Sequence, residues 1–376
     1  MNSQTDILDW LAFSFITGVG SRTAAMLLDK FGSPTDCFNA NVHTLETLGI
    51  KREIIDQLKS IEPRLRAEAE LKQLENLSGT ILTLDDDDYP PLLKETYDPP
   101  IVLFASGDIQ RALAQPALAV VGSRHCSTYG RNVAEMLGRE LAMRGVTIVS
   151  GLARGIDSAA HQGALDGKGL TLAVMGTGLD AVYPKENKKL VEKIRENGAL
   201  LTEFPIGTPP LPQNFPFRNR IISGISLGVL IVEGAERSGS LITARMAYEQ
   251  DREVFAVPGN ITSAKSFGPN YLIKDGAKLV QSWQDVVEEF PFEVKTQILS
   301  AERNEKIPTQ LAIDEISLSE NEKKVLALLK PDESLHIDKL TELTKLNFGE
   351  LNDALFNLEM KERIKQLPGK HFARKL

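Results

Sequence analysis

The sequence predicts an α/β fold whose centre is a doubly wound parallel sheet. From residue 117 onward, short apolar runs rich in β-branched residues alternate with amphipathic stretches of helical period. Turns built from Gly, Ser and Arg join the first two apolar runs to the stretches that follow them. This alternation is typical of parallel strands connected by helices. Helical periodicity before and after this region predicts a further domain at each end of the chain.

The length of 376 residues is too great for one ordinary domain. A hydrophobic content of 42% and a charged content of 25% are values of globular proteins, so each domain has material for a core. We expect a helical domain over residues 1–80, the α/β domain over 81–290, a linker over 291–317 and a last domain over 318–376.

Charge, cysteine content and hydropathy limit the class of protein. The formal net charge of −8 argues against a generally basic nucleic-acid coating protein but leaves room for a local basic groove. Cys37 and Cys126 have the spacing of neither a metal site nor a disulfide framework, so no metal and a reducing compartment are expected. The chain shows no secretory signal and no apolar run of membrane-spanning length, so we predict a cytoplasmic protein without a membrane partner.

The N-terminal region, residues 5–76, is predicted to be all helical. A turn, Thr17-Gly18-Val19-Gly20, separates two helical stretches, and the second of them ends at Gly32-Ser33-Pro34. This short hairpin resembles helix-hairpin-helix and sterile-alpha-like modules. Such turns contact DNA phosphates in many of these modules and only pack helices in many others. We favour the packing role.

The first two units of the sheet carry the features that point to a ligand. Strand 117–121 runs into Gly122-Ser123-Arg124, and strand 146–149 runs into a turn that contains Arg154. Both turns lie at the carboxyl ends of strands and the amino ends of helices, where open α/β sheets bind ligands. Glycine lets a phosphate approach the backbone, and arginine contacts it with two donors. The pattern predicts recognition of a nucleotide or a polyanion.

Further strands are predicted near residues 101–105, 171–175, 200–203, 227–232, 253–257 and 277–280. The segment 204–217 contains too many prolines for a helix or a central strand, so we expect an ordered loop or lid. This loop carries Phe215 and Phe217 next to Arg218 and Arg220. Aromatic rings interleaved with arginines are typical of single-stranded nucleic-acid sites, where rings stack on bases and guanidinium groups hold the backbone.

Enzymatic interpretations have weaker support. His161 follows Asp157 by one helical turn, which predicts a packing histidine with an acidic partner rather than a catalytic pair. Glu233, at a strand end, is a candidate base for cleaving the glycosidic bond of a nucleotide, but no second carboxylate is placed with it. The chain contains no Walker sequence, and its glycine turns do not fit the dinucleotide fingerprint. We therefore expect no cofactor and assign no catalytic residue.

The C-terminal region predicts three helices and a short hairpin closed by Pro368-Gly369, the order of a winged helix-turn-helix domain. Such domains often bind duplex DNA through the second helix of the turn. Here that helix, residues 347–360, is acidic and contains no Lys or Arg. An interaction or dimerisation module is at least as well supported.

Six motifs occur in the order found in the DprA/Smf family, the bacterial DNA-processing proteins of natural transformation, and the chain resembles that family over its whole length. The motifs are GSR with YG (122–130), SGLARGID (150–157), YPKEN (183–187), FPFRNR (215–220), EGAERSGSLITA (233–244) and VPGN (257–260). The resemblance implies a sterile-alpha-like domain, an extended Rossmann-like domain and a winged helix.

The resemblance also implies a binder rather than a catalyst. Family members protect incoming single-stranded DNA, load the RecA recombinase onto it and form homodimers through the later part of the Rossmann-like domain; a single-strand-binding protein is a further candidate partner. Carried onto this sequence, the phosphate would be held by Gly122, Ser123 and Arg124. Lys185 and Arg218 would add charge, and Phe215 would stack on a base. Further assignments, of less definite role, are Arg154, Asn219 and Arg220.

Two alternatives remain. One is a nucleotide-binding or nucleotide N-glycosidic-bond-cleaving enzyme on the same fold, as in relatives of cytokinin-riboside-phosphate hydrolases. Those relatives carry a PGGxGTxxE-like turn, which EGAERSGSLITA lacks. The other is a structural or regulatory protein that acts through the winged helix, for which a basic recognition helix is expected.

Overall fold

The N-terminal region is built from six helices in the computed structural model, which describes residues 4–304, 318–331, 333–361 and 363–375. The helices are α1 (Gln4–Ser14), α2 (Ser21–Phe31), α3 (Pro34–Asn39), α4 (Val42–Thr47), α5 (Arg52–Leu58) and α6 (Glu62–Asn76). Local signals set these limits. Gly32 ends α2 with a φ of 88°, and Ser33 caps α3 by accepting a hydrogen bond from the Asp36 N–H.

Nine strands form one sheet within the described residues. They are β1 (Gly79–Thr83), β2 (Val102–Gly107), β3 (Ala117–Val121), β4 (Thr147–Ser150), β5 (Thr171–Val174), β6 (Gly198–Thr202), β7 (Gly228–Ile231), β8 (Glu253–Ala256) and β9 (Lys278–Leu279). Their order is β1-β2-β6-β5-β4-β3-β7-β8-β9, parallel from β6 to β9 and antiparallel at β1 and β2. The part β5-β4-β3-β7-β8-β9 is the doubly wound order of a Rossmann-like domain, as predicted.

Helices cover both faces of this sheet. They are α7 (Pro91–Lys94), α8 (Ile109–Leu113), α9 (Thr128–Ala142), α10 (Ile156–Asp166), α11 (Lys188–Glu196), α12 (Asn214–Ile225), α13 (Gly239–Glu249), α14 (Phe267–Lys274), α15 (Trp283–Val287) and α16 (Phe292–Asn304). Strand β3 is buried throughout. Leu118 and Val120 pack into the core with α9 and α10, whereas Ala119 and Val121 pack into the core with α12 and α13. Burial of each leucine or valine side chain of this strand contributes roughly 1.5–3 kcal/mol to the free energy of folding.

The N-terminal helices share one hydrophobic core with the sheet. Trp10 and Leu74 lie in the same buried cluster as Phe104 of β2 and Leu200 of β6. Strand β1, which the sequence did not indicate, joins β2 directly after α6. Its apolar residues are few and an acidic run follows them, so the strand has no clear signal of its own. The helical region is therefore anchored to the sheet through both side chains and backbone.

The proline-rich segment 204–217 differs from the predicted loop at its end. Helix α12 begins at Asn214, so Phe215 and Phe217 lie in its first turn. Pro216 is compatible with this position because the first N–H groups of a helix have no intrahelical acceptor. Both rings are consequently fixed to a helix rather than carried by a lid.

The predicted linker 291–317 is helical in its described part. Helix α16 places Ile298 and Val294 against the core that contains Trp283 and Phe290. Charged residues between the apolar ones hide this helical period in the sequence. Residues 305–317 lie outside the described part of the chain.

The C-terminal domain is a winged helix, as predicted. Its elements are α17 (Glu320–Leu328), β10 (Leu335–His336), α18 (Ile337–Thr344), α19 (Phe348–Met360), β11 (Ile364–Leu367) and β12 (His371–Arg374). Capping boxes start α17 at Ser319 and α19 at Asn347. The domain contacts α9: Lys365 Nζ lies 2.8 Å from Glu135 Oε1, and Asn132 Nδ2 donates to the Pro331 carbonyl at 3.0 Å. Across the described residues, we find no helix long and apolar enough to cross a membrane.

Candidate nucleic-acid interface

The turns after β3 and β4 are joined through their backbones at the carboxyl edge of the sheet. The Ser123 N–H donates to the Glu233 carbonyl at 2.8 Å, and the Ser123 carbonyl accepts from the Ile156 N–H at 3.2 Å. Gly155 has a φ of 78°, and a Cβ there would lie 2.2 Å from the Ser123 carbonyl oxygen. Only glycine fits this contact. The turn Gly122-Ser123-Arg124 is thus fixed next to the start of α10.

Arg124, Phe215 and Tyr183 form a cluster at this turn, in which Arg124 and Tyr183 are exposed and Phe215 is partly buried. The Arg124 guanidinium carbon lies 5.4 Å from the Phe215 ring centroid, and the Tyr183 ring lies 5.4 Å from Phe215 at an angle of 43°. Phe215 reaches the cluster because Gly176 leaves it room: a Cβ at Gly176 would lie 2.9 Å from the ring. A small pocket lined by Gly151, Ala153, Arg154 and Pro184 adjoins these three residues. The cluster, Arg124, Tyr183 and Phe215, offers ring faces and a cation side by side.

Arg154 and Lys185 are two further exposed cations of this edge. Arg154 Nη2 donates to Glu186 Oε2 at 3.0 Å. This hydrogen bond raises the pKa of Arg154 and lowers that of Glu186. Since both side chains are about half exposed, the pair is open to exchange with a phosphate. Arg154 therefore lies in the same pocket as Arg124, with its charge partly balanced.

Arg218 is buried beneath the edge, although the sequence predicts it to add charge to the groove. It is 3% exposed. Its Nη1 donates to the carbonyls of Gly151, at 2.7 Å, and Val174, and its Nε donates to Asn219 Oδ1 at 3.1 Å. Burial lowers the pKa of Arg218 to about 10, against the opposing charge of Asp157. The sequence could not show which side of α12 faces the sheet. Arg218 ties the ends of β4 and β5 to that helix.

Asp157 and His161 do not pair as predicted. Asp157 Oδ2 accepts from the N–H groups of Gly151, at 3.1 Å, and Ala153, at 3.4 Å. Burial raises the pKa of Asp157, and the charge of Arg218 counteracts this. His161 Nδ1 instead lies 2.7 Å from Thr171 Oγ1, and burial lowers the pKa of His161 to about 3. Asp157 turns back to the loop because it lies in the first turn of α10, whose preceding N–H groups need an acceptor.

Arg220 lies on another side of α12, away from the Arg124 cluster. Its Nη2 pairs with Glu203, its Nη1 donates to the Asp98 carbonyl at 2.8 Å, and its guanidinium stacks over Phe217 at 4.3 Å. The structure therefore brings together Gly122, Ser123, Arg124, Arg154 and Phe215 with Lys185 nearby. It uses Arg218 and Asn219 as buried or half-buried support and separates Arg220.

Tyr183 is the residue that the sequence analysis missed. Its signal was an aromatic residue shortly after a further glycine turn, Gly176-Thr177-Gly178, which follows β5 at the same edge of the sheet as the first two turns. Glu233, the candidate glycosidic base, is 4% exposed. Its oxygens accept from the N–H of Ser127, at 2.8 Å, and from the Ser127 hydroxyl. Both oxygens are thus engaged at the start of α9, and Glu233 is not among the residues that line the pocket beside Arg124.

Comparisons with known proteins agree with this fold. Residues 80–291 match the family model for DNA recombination-mediator protein A, and residues 310–370 match the DprA winged helix domain. Over 391 residues the chain is 33% identical to protein Smf of Synechocystis, covering 97% of this chain and 98% of that protein. It is 49% identical over 231 residues to protein Smf of Escherichia coli, covering 61% of this chain and 62% of that protein's length.

Two solved structures are also similar. DNA processing protein A of Streptococcus pneumoniae matches with a TM-score of 0.62 and 37% identity, over 78% of this chain and 100% of that one. The protein of the same name from Helicobacter pylori, described for its single-stranded DNA binding mode, matches with a TM-score of 0.52 and 29% identity. That match covers 61% of this chain and 97% of the other.

Proposed function

The chain belongs to the DprA/Smf family of DNA-processing proteins, and we propose that it binds single-stranded DNA at the carboxyl edge of its sheet. The observation that carries this proposal is the cluster of Arg124, Tyr183 and Phe215. An exposed guanidinium beside two aromatic rings binds a phosphate and stacks an unpaired base at the same time. The binding of single-stranded DNA described for the Helicobacter pylori relative supports the same assignment.

We assign a role in binding to each side chain from its solvent exposure. Arg124, Arg154 and Lys185 neutralise phosphates, and the Gly122-Ser123-Arg124 turn lets the strand approach the backbone. Phe215 and Tyr183 stack on bases, which requires unpaired bases and therefore favours single strands over duplex. Arg218 and Asn219 act as positioning residues, because they hold the turn and α12 from below.

We further propose that the protein protects incoming single-stranded DNA in the cytoplasm and loads a RecA recombinase onto it during transformation or recombination, with a single-strand-binding protein as a further candidate partner. A homodimer through the Rossmann-like domain belongs to the same proposal. Its support is an exposed apolar face on α13 and α14 that includes Ile242, Tyr248, Phe267 and Tyr271. The rings of Phe267 and Tyr271 stack with an interplanar angle of 3°. Solvent-exposed apolar surface of this kind favours association.

The test is fluorescence anisotropy with a labelled single strand and its duplex over a salt series. We expect the single strand to bind more tightly, with an affinity that falls steeply with salt. Arg124→Ala should weaken binding at least about tenfold and reduce the salt slope by roughly one phosphate contact. Arg111→Ala is the matched control, since Arg111 is exposed on α8 near the start of β3, at the opposite edge. Equal binding of duplex, together with no effect of Arg124→Ala, would exclude this edge as the DNA site.

A further inference from the structure

A cleft of about 510 Å³ lies beside α12, where the N-terminal helices meet the sheet. The hairpin between α1 and α2 forms one wall, and residues 98–104 form the other, together with Glu203, Phe217 and Arg220. Nothing in the DNA-binding edge described above includes this cleft, because Arg124, Tyr183 and Phe215 lie on the other side of α12.

The walls of the cleft are held in place. The N-terminal helices and strands β2 and β6 belong to one hydrophobic core. Glu70 of α6 also reaches across, and its Oε1 accepts from the Ile206 N–H at 2.6 Å. Separating the two walls would expose this core and leave the Glu70 carboxylate without that donor. The cleft is therefore preformed.

The interior of the cleft suits a flat ring. Phe217 is 47% exposed, and its ring is stacked on one side by the Arg220 guanidinium at 4.3 Å. Pro99, Pro100 and Phe15 add further apolar surface. The two carboxylates at the cleft, Asp98 and Glu203, share the single guanidinium of Arg220, which balances one of their two charges. Burial also raises the pKa of Glu203 to about 7, so this carboxylate is only partly ionised at neutral pH. A ring stacked on such an Arg–aromatic pair gains both π and cation–π contacts.

The mouth of the cleft suits a phosphate. Ser21, Arg22 and Thr23 begin α2 there, and Gly20 before them has no side chain to cap their N–H groups. Arg22 is exposed and makes no ion pair in the described part of the chain. An aromatic interior behind a cationic mouth matches the two halves of a nucleotide.

Helix α12 connects this cleft to the DNA-binding edge. Phe215 and Phe217 lie in one turn, and their side chains project to opposite sides of the helix start. We infer that the cleft between the α1–α2 hairpin and the sheet is a second nucleotide-binding site, which takes a later nucleotide of the same single strand by stacking its base on Phe217 and contacting its phosphate with Arg22. The inference rests on the proposed function, because the strand must first occupy the Arg124 edge.

The experiment compares oligothymidylates of increasing length, from roughly 4 to 16 nucleotides, by anisotropy with the full chain. In the wild type, affinity should rise with strand length until both sites are occupied. Phe217→Ala and Arg22→Glu should each lower the affinity for long strands about tenfold and change the affinity for the shortest strands by less than twofold. Phe217→Tyr keeps an aromatic ring and should bind long strands as tightly as the wild type. Phe292→Ala removes a ring that is 80% exposed on α16 and should change nothing.

The outcomes separate the two proposals. In one outcome, Arg124→Ala weakens the binding of strands of every length while Phe217→Ala and Arg22→Glu show the same dependence of affinity on length as the wild type. This result would exclude the cleft as a DNA site and leave the edge site in place. If Arg124→Ala has no effect on any strand, the edge assignment fails, and the cleft inference fails with it. A photo-reactive thymidine placed along the long strand supplies a second readout, since cross-links to Phe217 are expected only at positions distant from those that cross-link to Tyr183.

Discussion

Gly155 lies directly against the Ser123 carbonyl oxygen, and a methyl group added to Gly155 would approach that oxygen to 2.2 Å. This contact joins the two turns of the proposed DNA-binding edge. Gly155→Ala should therefore destabilise the fold by about 3 kcal/mol or more, through the positive φ and the clash together. Binding of single-stranded DNA should also weaken, because the Gly122-Ser123-Arg124 turn must move. Urea unfolding and anisotropy measure the two effects.

Gly145→Ala is the control for this prediction. Gly145 has the same φ of 78°, but a Cβ there would meet nothing within 4 Å. Its substitution should cost about 1 kcal/mol and leave DNA binding unchanged. Equal effects of the two substitutions would mean that backbone conformation alone, and not the contact with Ser123, explains the loss.

Substitutions at Arg218 and Arg154 should have different effects, the first on the stability of the fold and the second on DNA binding. Arg218→Leu removes the donor to the Gly151 and Val174 carbonyls and the charge that opposes buried Asp157, so we expect a loss of about 3–5 kcal/mol in the free energy of unfolding. Arg154→Ala removes an exposed charge and should weaken DNA binding with no measurable change in unfolding. A stable Arg218→Leu protein that binds DNA poorly would instead assign Arg218 to the groove.

Because His161 is buried with a lowered pKa, we expect the free energy of unfolding to depend on pH. Its folded pKa of about 3 lies below the value of 6.5 in an unfolded chain. The unfolded state therefore binds more protons between these values, and stability falls as the pH drops below about 6.5. From pH 7 to pH 5, the wild type should lose about 2 kcal/mol more than His161→Gln. Parallel curves of unfolding free energy against pH for the two proteins would show that His161 is not buried in its neutral form.

The exposed face of α13 and α14 predicts self-association. Tyr271→Asp introduces a charge into this apolar face and should convert a dimer into a monomer at micromolar concentration, as measured by sedimentation velocity. Tyr97→Asp changes a tyrosine that is 79% exposed elsewhere and should leave the dimer intact. A wild type that sediments as a monomer at all concentrations would contradict the proposed dimer.

Strands buried on both faces were the easiest elements to predict from the sequence. Strand β3 coincides with its predicted range, because a run of buried apolar residues is needed on both sides of a parallel sheet. The start of α12 was missed because Pro216 is tolerated in a first turn but looks like a helix breaker in the sequence. The fold class and the family were confirmed, whereas the assignment of Arg124 and Phe215 to a DNA site stays a prediction.

Side-chain partners were harder to predict than elements. Arg218 and Arg220 are two residues apart, so both looked like groove cations, yet one is buried under the edge and the other faces the N-terminal helices. Asp157 and His161 have the spacing of a helical pair, but backbone N–H groups compete for the Asp157 carboxylate. Such choices depend on the rotation of a helix against its neighbours, which the spacing of residues along the chain does not determine.

The carboxylate of Glu233 occupies the start of α9 from inside the protein. The positive end of that helix is thus neutralised permanently, and it contributes little attraction to a bound strand. Under the proposed function, affinity for DNA at this edge then comes from exposed side chains such as Arg124 and Lys185, whereas buried side chains hold the framework. A lineage can consequently adjust how long the protein stays on its DNA by exchanging single surface lysines and arginines, without any change in the framework that carries them.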